Sequence, residues 1–193
     1  MSDAKAARQH ILDSARPLVG SRGFGAVGLT EVLKTAGIPK GSFYHYFASK
    51  DAFGEALLQD YFDTYLQQMQ RIFDGNEAES RKLLAYWQHW ADSQACNTDA
   101  GKCLVVKLGA EVADLSDAMR QALDRGTARI IQCLADALAR GQQHGAQPPE
   151  QLAAQLYALW LGASVMAKIT RTRLPFDEAL AFTRQALGTL DSF

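Results

Sequence analysis

Cys103 is the side chain of this sequence whose surroundings best suit covalent chemistry. It follows a polar loop at 97–101 and falls in the first turn of a predicted helix, with Lys102 beside it and Lys107 four residues on. A helix start and nearby ammonium groups both favour the thiolate, which is the nucleophilic form. A thiolate so placed would react with electrophiles and oxidants. The bland alternative is a buried structural thiol, the ordinary state of a single cysteine. Cys96 lies seven residues earlier and Cys133 far along the chain. With no CxxC, and His89 the nearest histidine, no zinc set or other metal site is expected.

A second chemistry is offered by Lys40 and Lys50, which follow Pro39 and Ser49 at predicted helix starts. A cation there opposes the helix dipole, at a cost of roughly a few tenths of a kcal/mol. A phosphate at the same ends reverses the sign, because the terminal N–H groups and the ammonium then act together. Surface lysines are common, but these two flank an aromatic segment in the basic part of the chain. Residues 1–50 carry seven basic and three acidic residues, a net +4; the remainder carries 13 basic and 18 acidic, a net −5. A basic head on an acidic body fits a nucleic-acid reader with a separate effector module.

The elements that position these groups are all helical. Ala7, Ile11, Ala15, Leu18 and Val19 mark one face of a helix from Ala4 to Arg22, and Gly23 is placed to cap it. Pro17 predicts a kink there. Thr30 reads as the N-cap of a second helix that Gly37 ends. A third runs from Lys40 to Phe47, with Phe43 and Phe47 on one side and Ser42, Tyr44 and His45 on others. Two short helices joined by a Gly-containing turn form a helix-turn-helix pattern. Then follow predicted helices at 49–73, 80–96, 102–114, 116–140, 150–169 and from Pro175 on. The expected fold is all-α with about nine helices: a three-helix domain over 1–48 and a larger helical domain over 49–193. The last two helices, about 150–170 and 175–190, are apolar on more than one face, which predicts that they pair with a second copy.

Composition sets limits. At 48% hydrophobic the chain of 193 residues can bury a proper core, and its five prolines and 15 glycines sit mostly at breaks. No apolar run approaches the roughly 20 residues that cross a bilayer, so no membrane partner is expected. The polar start MSDAKAARQH lacks the apolar run of a secretory signal. An odd count of three cysteines then suggests free thiols in a reducing cytoplasm. No Gly-rich phosphate loop, carboxylate pair, Ser/His/Asp set or cofactor motif appears, which speaks against an enzyme. Trp87, Trp90, Met119 and Tyr157 could line an apolar pocket for a small ligand, or simply fill the core.

Thr30, Leu33, Ala36-Gly37-Ile38, the run Lys40 to Phe47 (KGSFYHYF) and Ser49-Lys50 together resemble the signature of the TetR family of bacterial repressors. The motif covers roughly the first 60 residues. The resemblance implies three DNA-binding helices, a long connecting helix and a ligand-binding, dimerising body. It implies double-stranded operator DNA as partner. The third helix would enter the major groove, Tyr44 and His45 would meet backbone or base edges, Lys40, Gly41 and Ser42 would stand at its exposed start, and Thr30 and Lys50 would hold phosphates. The stretches 101–120 and 156–171 also resemble one branch of that family, associated with sensing reactive electrophiles and oxidants through cysteine. That resemblance implies Cys103 as the sensing thiol, with Lys168 as its charge partner or as an amine that attacks the oxidised sulfur. The alternative mechanism it leaves open is a non-covalent hydrophobic inducer.

Overall fold

The computed structural model describes residues 3–95, 103–141 and 147–188. Among these it is all-helical: α1 (Asp3–Arg22), α2 (Leu29–Thr35), a 3-10 turn (Lys40–Ser42), α3 (Phe43–Tyr46), α4 (Lys50–Phe73), α5 (Glu79–Ala95), α6 (Leu104–Leu115), α7 (Asp117–Gly141), α8 (Pro149–Thr170) and α9 (Leu174–Ala186). The chain groups into two compact units, Met1–Thr64 with Thr98–Gly126, and Tyr65–Asn97 with Thr127–Phe193. This grouping differs from the division at residue 48: most of α4, all of α6 and the start of α7 group with the first three helices.

In the first unit, α1 buries Ile11, Leu12, Ala15 and Val19 and runs through Pro17. It ends at Gly23, whose φ of +93° suits a residue without Cβ. α2 starts two residues earlier than its sequence suggests. Gly28, not Thr30, is the N-cap; its carbonyl accepts the N–H groups of Glu31 and Val32 at 3.0 and 3.2 Å. Thr30 is thereby placed inside the first turn, with its side chain exposed. Gly37, at φ +66°, closes α2 with paired bonds, its own N–H to Lys34 O and that of Ile38 to Leu33 O. The predicted third helix resolves into the 3-10 turn and the four residues of α3. α4 starts at Lys50 as expected, and Ser49 Oγ accepts the Ala52 N–H at 3.0 Å.

Two glycines allow close packing in this unit. A Cβ on Gly54 would stand 2.7 Å from the Phe24 ring and 2.2 Å from Met119 Sδ. One on Gly126 would meet the Phe62 ring at 2.1 Å. Glycine inside a helix costs about 1 kcal/mol relative to alanine, so both positions are held for the contact they permit. The carboxylate of Glu111, on α6, accepts the N–H groups of Phe24 and Gly25 at 3.2 and 2.6 Å, fixing the turn between α1 and α2.

The second unit is built on aromatics. Trp87 and Trp160 stack at 4.9 Å, and Trp160 stacks on Phe176 at 6.1 Å. The indole N–H groups of Trp90 and Trp160 donate to Ser164 and Thr183 at 2.9 and 3.0 Å, joining α5 to α8 and α8 to α9. Buried Lys82 donates to the carbonyls of Phe73 and Gly75 at 2.9 and 3.1 Å and to Glu79 at 2.8 Å, capping the C-terminal end of α4. α8 corrects the expectation that no segment is long and apolar enough to cross a bilayer: by length and composition it is. Its apolarity has another source. One face buries Leu152, Leu156, Tyr157 and Trp160. Another leaves Val165, Met166 and Ile169 exposed.

Candidate DNA-reading segment and sensing thiol

The segment 40–45 owes its presentation to the residues that flank and interrupt it. Phe43 and Phe47 are buried, 5.4 Å apart, and both meet Phe53 of α4 edge-on at 5.8 and 5.1 Å. Phe53 stacks in turn on Phe24. With the two phenylalanines committed inward, the 3.6-residue period turns Tyr44 outward, where it is 72% exposed. His45, Lys40 and Gly41 are also exposed, and Ser42 is half-buried. A Cβ on Gly41 would meet nothing within 4 Å, so packing within the chain does not demand glycine there. Lys50 is half-buried, and its ammonium lies 5.0 Å from the centre of the Phe24 ring. That cation–π contact holds the charge at the start of α4.

Cys103 is the N-cap of α6, which begins at Leu104 rather than at Lys102. The shift leaves the thiol at the helix mouth, where its side chain makes no capping bond to the backbone. The Tyr61 hydroxyl donates to Cys103 Sγ at 3.5 Å, and the residue is 5% exposed. The tyrosine lies 42 positions earlier, and nothing in the sequence spacing linked the two. Lys107, half-buried, stands one turn along α6 and its N–H bonds the Cys103 carbonyl at 3.2 Å. Lys102 and Cys96 lie outside the described residues. Lys168 is exposed in the last turn of α8, a member of the second unit, whereas Cys103 belongs to the first.

Cys133 is a different kind of thiol. Burial pushes its pKa up, and Asp136 and Asp74 push the same way against the opposing pull of Arg140. It therefore stays protonated and weakly nucleophilic. It sits in a groove of about 340 Å³ that Leu66, Phe73, Arg129 and Arg140 help to line. Trp87, Trp90 and Tyr157 pack among the aromatics of the second unit, and Met119 packs in the first. None of the four lines that groove. Trp87 Nε1 is buried without a hydrogen-bond partner. Among the described residues no group of three His, Cys, Asp or Glu could hold a metal ion.

Two family models match the chain. Residues 11–57 match that of the bacterial regulatory proteins of the tetR family, and 80–183 match the tetracyclin repressor-like C-terminal domain. Among similar proteins, the HTH-type transcriptional repressor NemR of Escherichia coli K12 is 42% identical over 187 residues, 94% of each chain. The transcriptional regulator AcuR of Cereibacter sphaeroides is 34% identical, over 94% of this chain and 84% of its own. The crystal structure of E. coli NemR in its reduced form superposes with a TM-score of 0.87, covering 93% of this chain and 96% of that one. The branch that the sequence resembles is thus NemR's, and the chain belongs to the TetR family of bacterial regulatory proteins.

Proposed function

We propose that this regulator represses transcription as a homodimer in the cytoplasm and leaves its operator when an electrophile or oxidant modifies Cys103. It is a DNA-binding transcriptional repressor of the NemR type. The DNA face is the segment 40–45, with Tyr44 and His45 reading base edges or backbone and Lys40, Gly41 and Ser42 at its start. Thr30 and Lys50 hold flanking phosphates. The outer face of α8, with α9 beside it, is the dimer surface: Val165, Met166 and Ile169 are 45%, 48% and 69% exposed, and Phe182 of α9 is 53% exposed. The role is binding, and no reaction is assigned to the chain.

One observation carries the sensing reading: the Cys103 thiol lies at the mouth of α6 with the Tyr61 hydroxyl directed at its sulfur. Both the helix start and the donor stabilise a thiolate. That E. coli NemR has been crystallised in a form called reduced supports a redox-responsive reading of this chain. With an activated alkene, sulfur forms a bond to carbon and solvent protonates the neighbouring carbon. With hypochlorous acid, the thiolate sulfur forms an S–Cl bond as the Cl–O bond breaks and hydroxide leaves; an amine, for which the sequence resemblance offers Lys168, would then displace chloride from sulfur, forming an S–N bond and losing a proton. A Cys103→Ser protein should stay on its operator in the presence of N-ethylmaleimide, whereas release equal to that of the wild type rules this reading out.

The second reading, a non-covalent inducer in the second unit, is favoured by Trp87 Nε1, a buried donor that a ligand's acceptor would satisfy. Protection of the tryptophan fluorescence by a hydrophobic inducer, with Cys103 unmodified, would support it.

A further inference from the structure

Glu111 holds the head of this molecule by its backbone. Its two carboxylate oxygens accept successive N–H groups, Oε2 from Phe24 at 3.2 Å and Oε1 from Gly25 at 2.6 Å. The turn is shaped for that approach. A Cβ at position 23 would stand 2.6 Å from Oε2, and one at position 25 would stand 3.0 Å from Oε1. Two glycines therefore flank Phe24 where a carboxylate comes closest. Successive amides aimed at one anion form a concave site in which each charge-assisted bond is strong and geometrically demanding.

Both neighbours of this clamp have functional weight. Beyond Gly25 the chain enters α2 within four residues, and the Phe24 ring stacks on Phe53 beneath the Lys50 ammonium. On the other side, Glu111 belongs to the helix that Cys103 caps, eight residues later, or about 12 Å along its axis. A shift of about 1 Å that drew the carboxylate directly away from the turn would lengthen both bonds past the range in which they hold.

We propose that Glu111 is the positioning residue through which α6 sets the turn between α1 and α2, and with it the reading segment. Its bonds to Phe24 and Gly25 hold the DNA-competent placement, and displacement of α6 releases them. The link to Cys103 rests on the sensing reading above; the positioning of the head by Glu111 does not.

The test measures operator affinity on duplex DNA from the chain's own promoter region, together with amide hydrogen exchange over residues 23–27. It uses the full-length wild type, Glu111→Gln, Glu111→Ala and Gly25→Ala, each before and after N-ethylmaleimide, with modification of Cys103 followed by mass. Glu111→Ala should lose operator affinity by about tenfold or more, as loss of two bonds to a charged acceptor implies. Exchange at Phe24 and Gly25 should rise, while thermal unfolding stays cooperative. Glu111→Gln, which keeps one acceptor oxygen, should fall between. Gly25→Ala should weaken binding alone but add little in the Glu111→Ala background, because both act on one contact. In the wild type, modification should raise exchange at these two amides as the operator is lost. Wild-type affinity in Glu111→Ala, or additive loss in the double variant, overturns the clamp. Operator release with exchange at Phe24 and Gly25 unchanged overturns it as the route from Cys103 and leaves the sensing reading intact. Full modification of Cys103 with the operator still bound overturns the sensing reading and that route together, and the affinity of Glu111→Ala then decides the positioning role alone.

Discussion

Tyr44 and Cys103 show how a single side chain acquires a role from its neighbours. Tyr44 is outward because Phe43 and Phe47 are fixed inward on Phe53. Tyr44→Ala therefore removes surface, not core. Operator affinity should fall at least tenfold, as loss of a central aromatic anchor commonly costs about 2 kcal/mol, while the melting temperature stays within a degree or two. Unchanged affinity in a gel shift would show that this helix does not read DNA. For the thiols, burial together with Asp136 and Asp74 raises the Cys133 pKa, whereas Cys103, itself only 5% exposed, has a hydroxyl donor and lies at a helix mouth. Under limiting N-ethylmaleimide at neutral pH, peptide mapping should find Cys103 alkylated well before Cys133. Alkylation of Cys133 first would remove the basis for choosing between them.

At the scale of elements, the helices were largely legible because apolar residues recur every three to four positions and Gly37, Ser49 and Ser116 punctuate them. Ser116 does cap α7, its carbonyl taking the Arg120 N–H at 2.9 Å. What could not be read were contacts between residues far apart in the chain. Glu111 and Gly25 are 86 positions apart, and Tyr61 and Cys103 are 42 apart. Each of those residues taken alone looks like an ordinary surface acid or core aromatic. Lys82 is the sharpest case, a lysine on a helix that would pass for a solvated charge. It is buried against two carbonyls and Glu79, so Lys82→Met should strand the Phe73 and Gly75 carbonyls and leave Glu79 only Arg140 as a partner. A loss of about 3 kcal/mol in urea unfolding is expected. For the Glu79 carboxyl, burial alone would raise the pKa, but hydrogen bonds from Lys82 and Arg140 outweigh it and the net shift is downward. A depressed folded-state pKa contributes stability that is present above the unfolded value of about 4.3 and is lost as pH falls through the folded value. Glu79→Gln should accordingly flatten the acid limb of the stability curve below about pH 4.3. A limb as steep as that of the wild type would show that Glu79 is not what titrates there.

The whole molecule combines a basic head with an acidic body, and the last two helices carry apolar side chains that their own unit leaves exposed. α8 looks membrane-like by composition because it has two apolar faces to satisfy. The inner one is met by α5 and α9. The outer one, with Met166 and Ile169 exposed, is the surface we propose for a second copy. Ile169→Asp should turn the dimer into a monomer in light scattering, and operator affinity should fall steeply because two heads no longer bind together. A dimer of wild-type stability in this variant would place the interface elsewhere. The sequence assigned these helices to dimerisation from their two-sided apolarity. It did not assign the Glu111 contact proposed to link α6 to the head, because that contact is made to backbone amides, which carry no residue identity.

The central claim is that chemistry at Cys103 governs DNA binding. The direct measurement follows, in one sample, the mass of the Cys103 peptide and the fraction of operator bound as N-ethylmaleimide is titrated in. Loss of the operator should track addition of one reagent molecule at Cys103, with Cys103→Ser remaining bound throughout. Operator release that precedes modification of Cys103, or that proceeds equally in Cys103→Ser, would contradict the account.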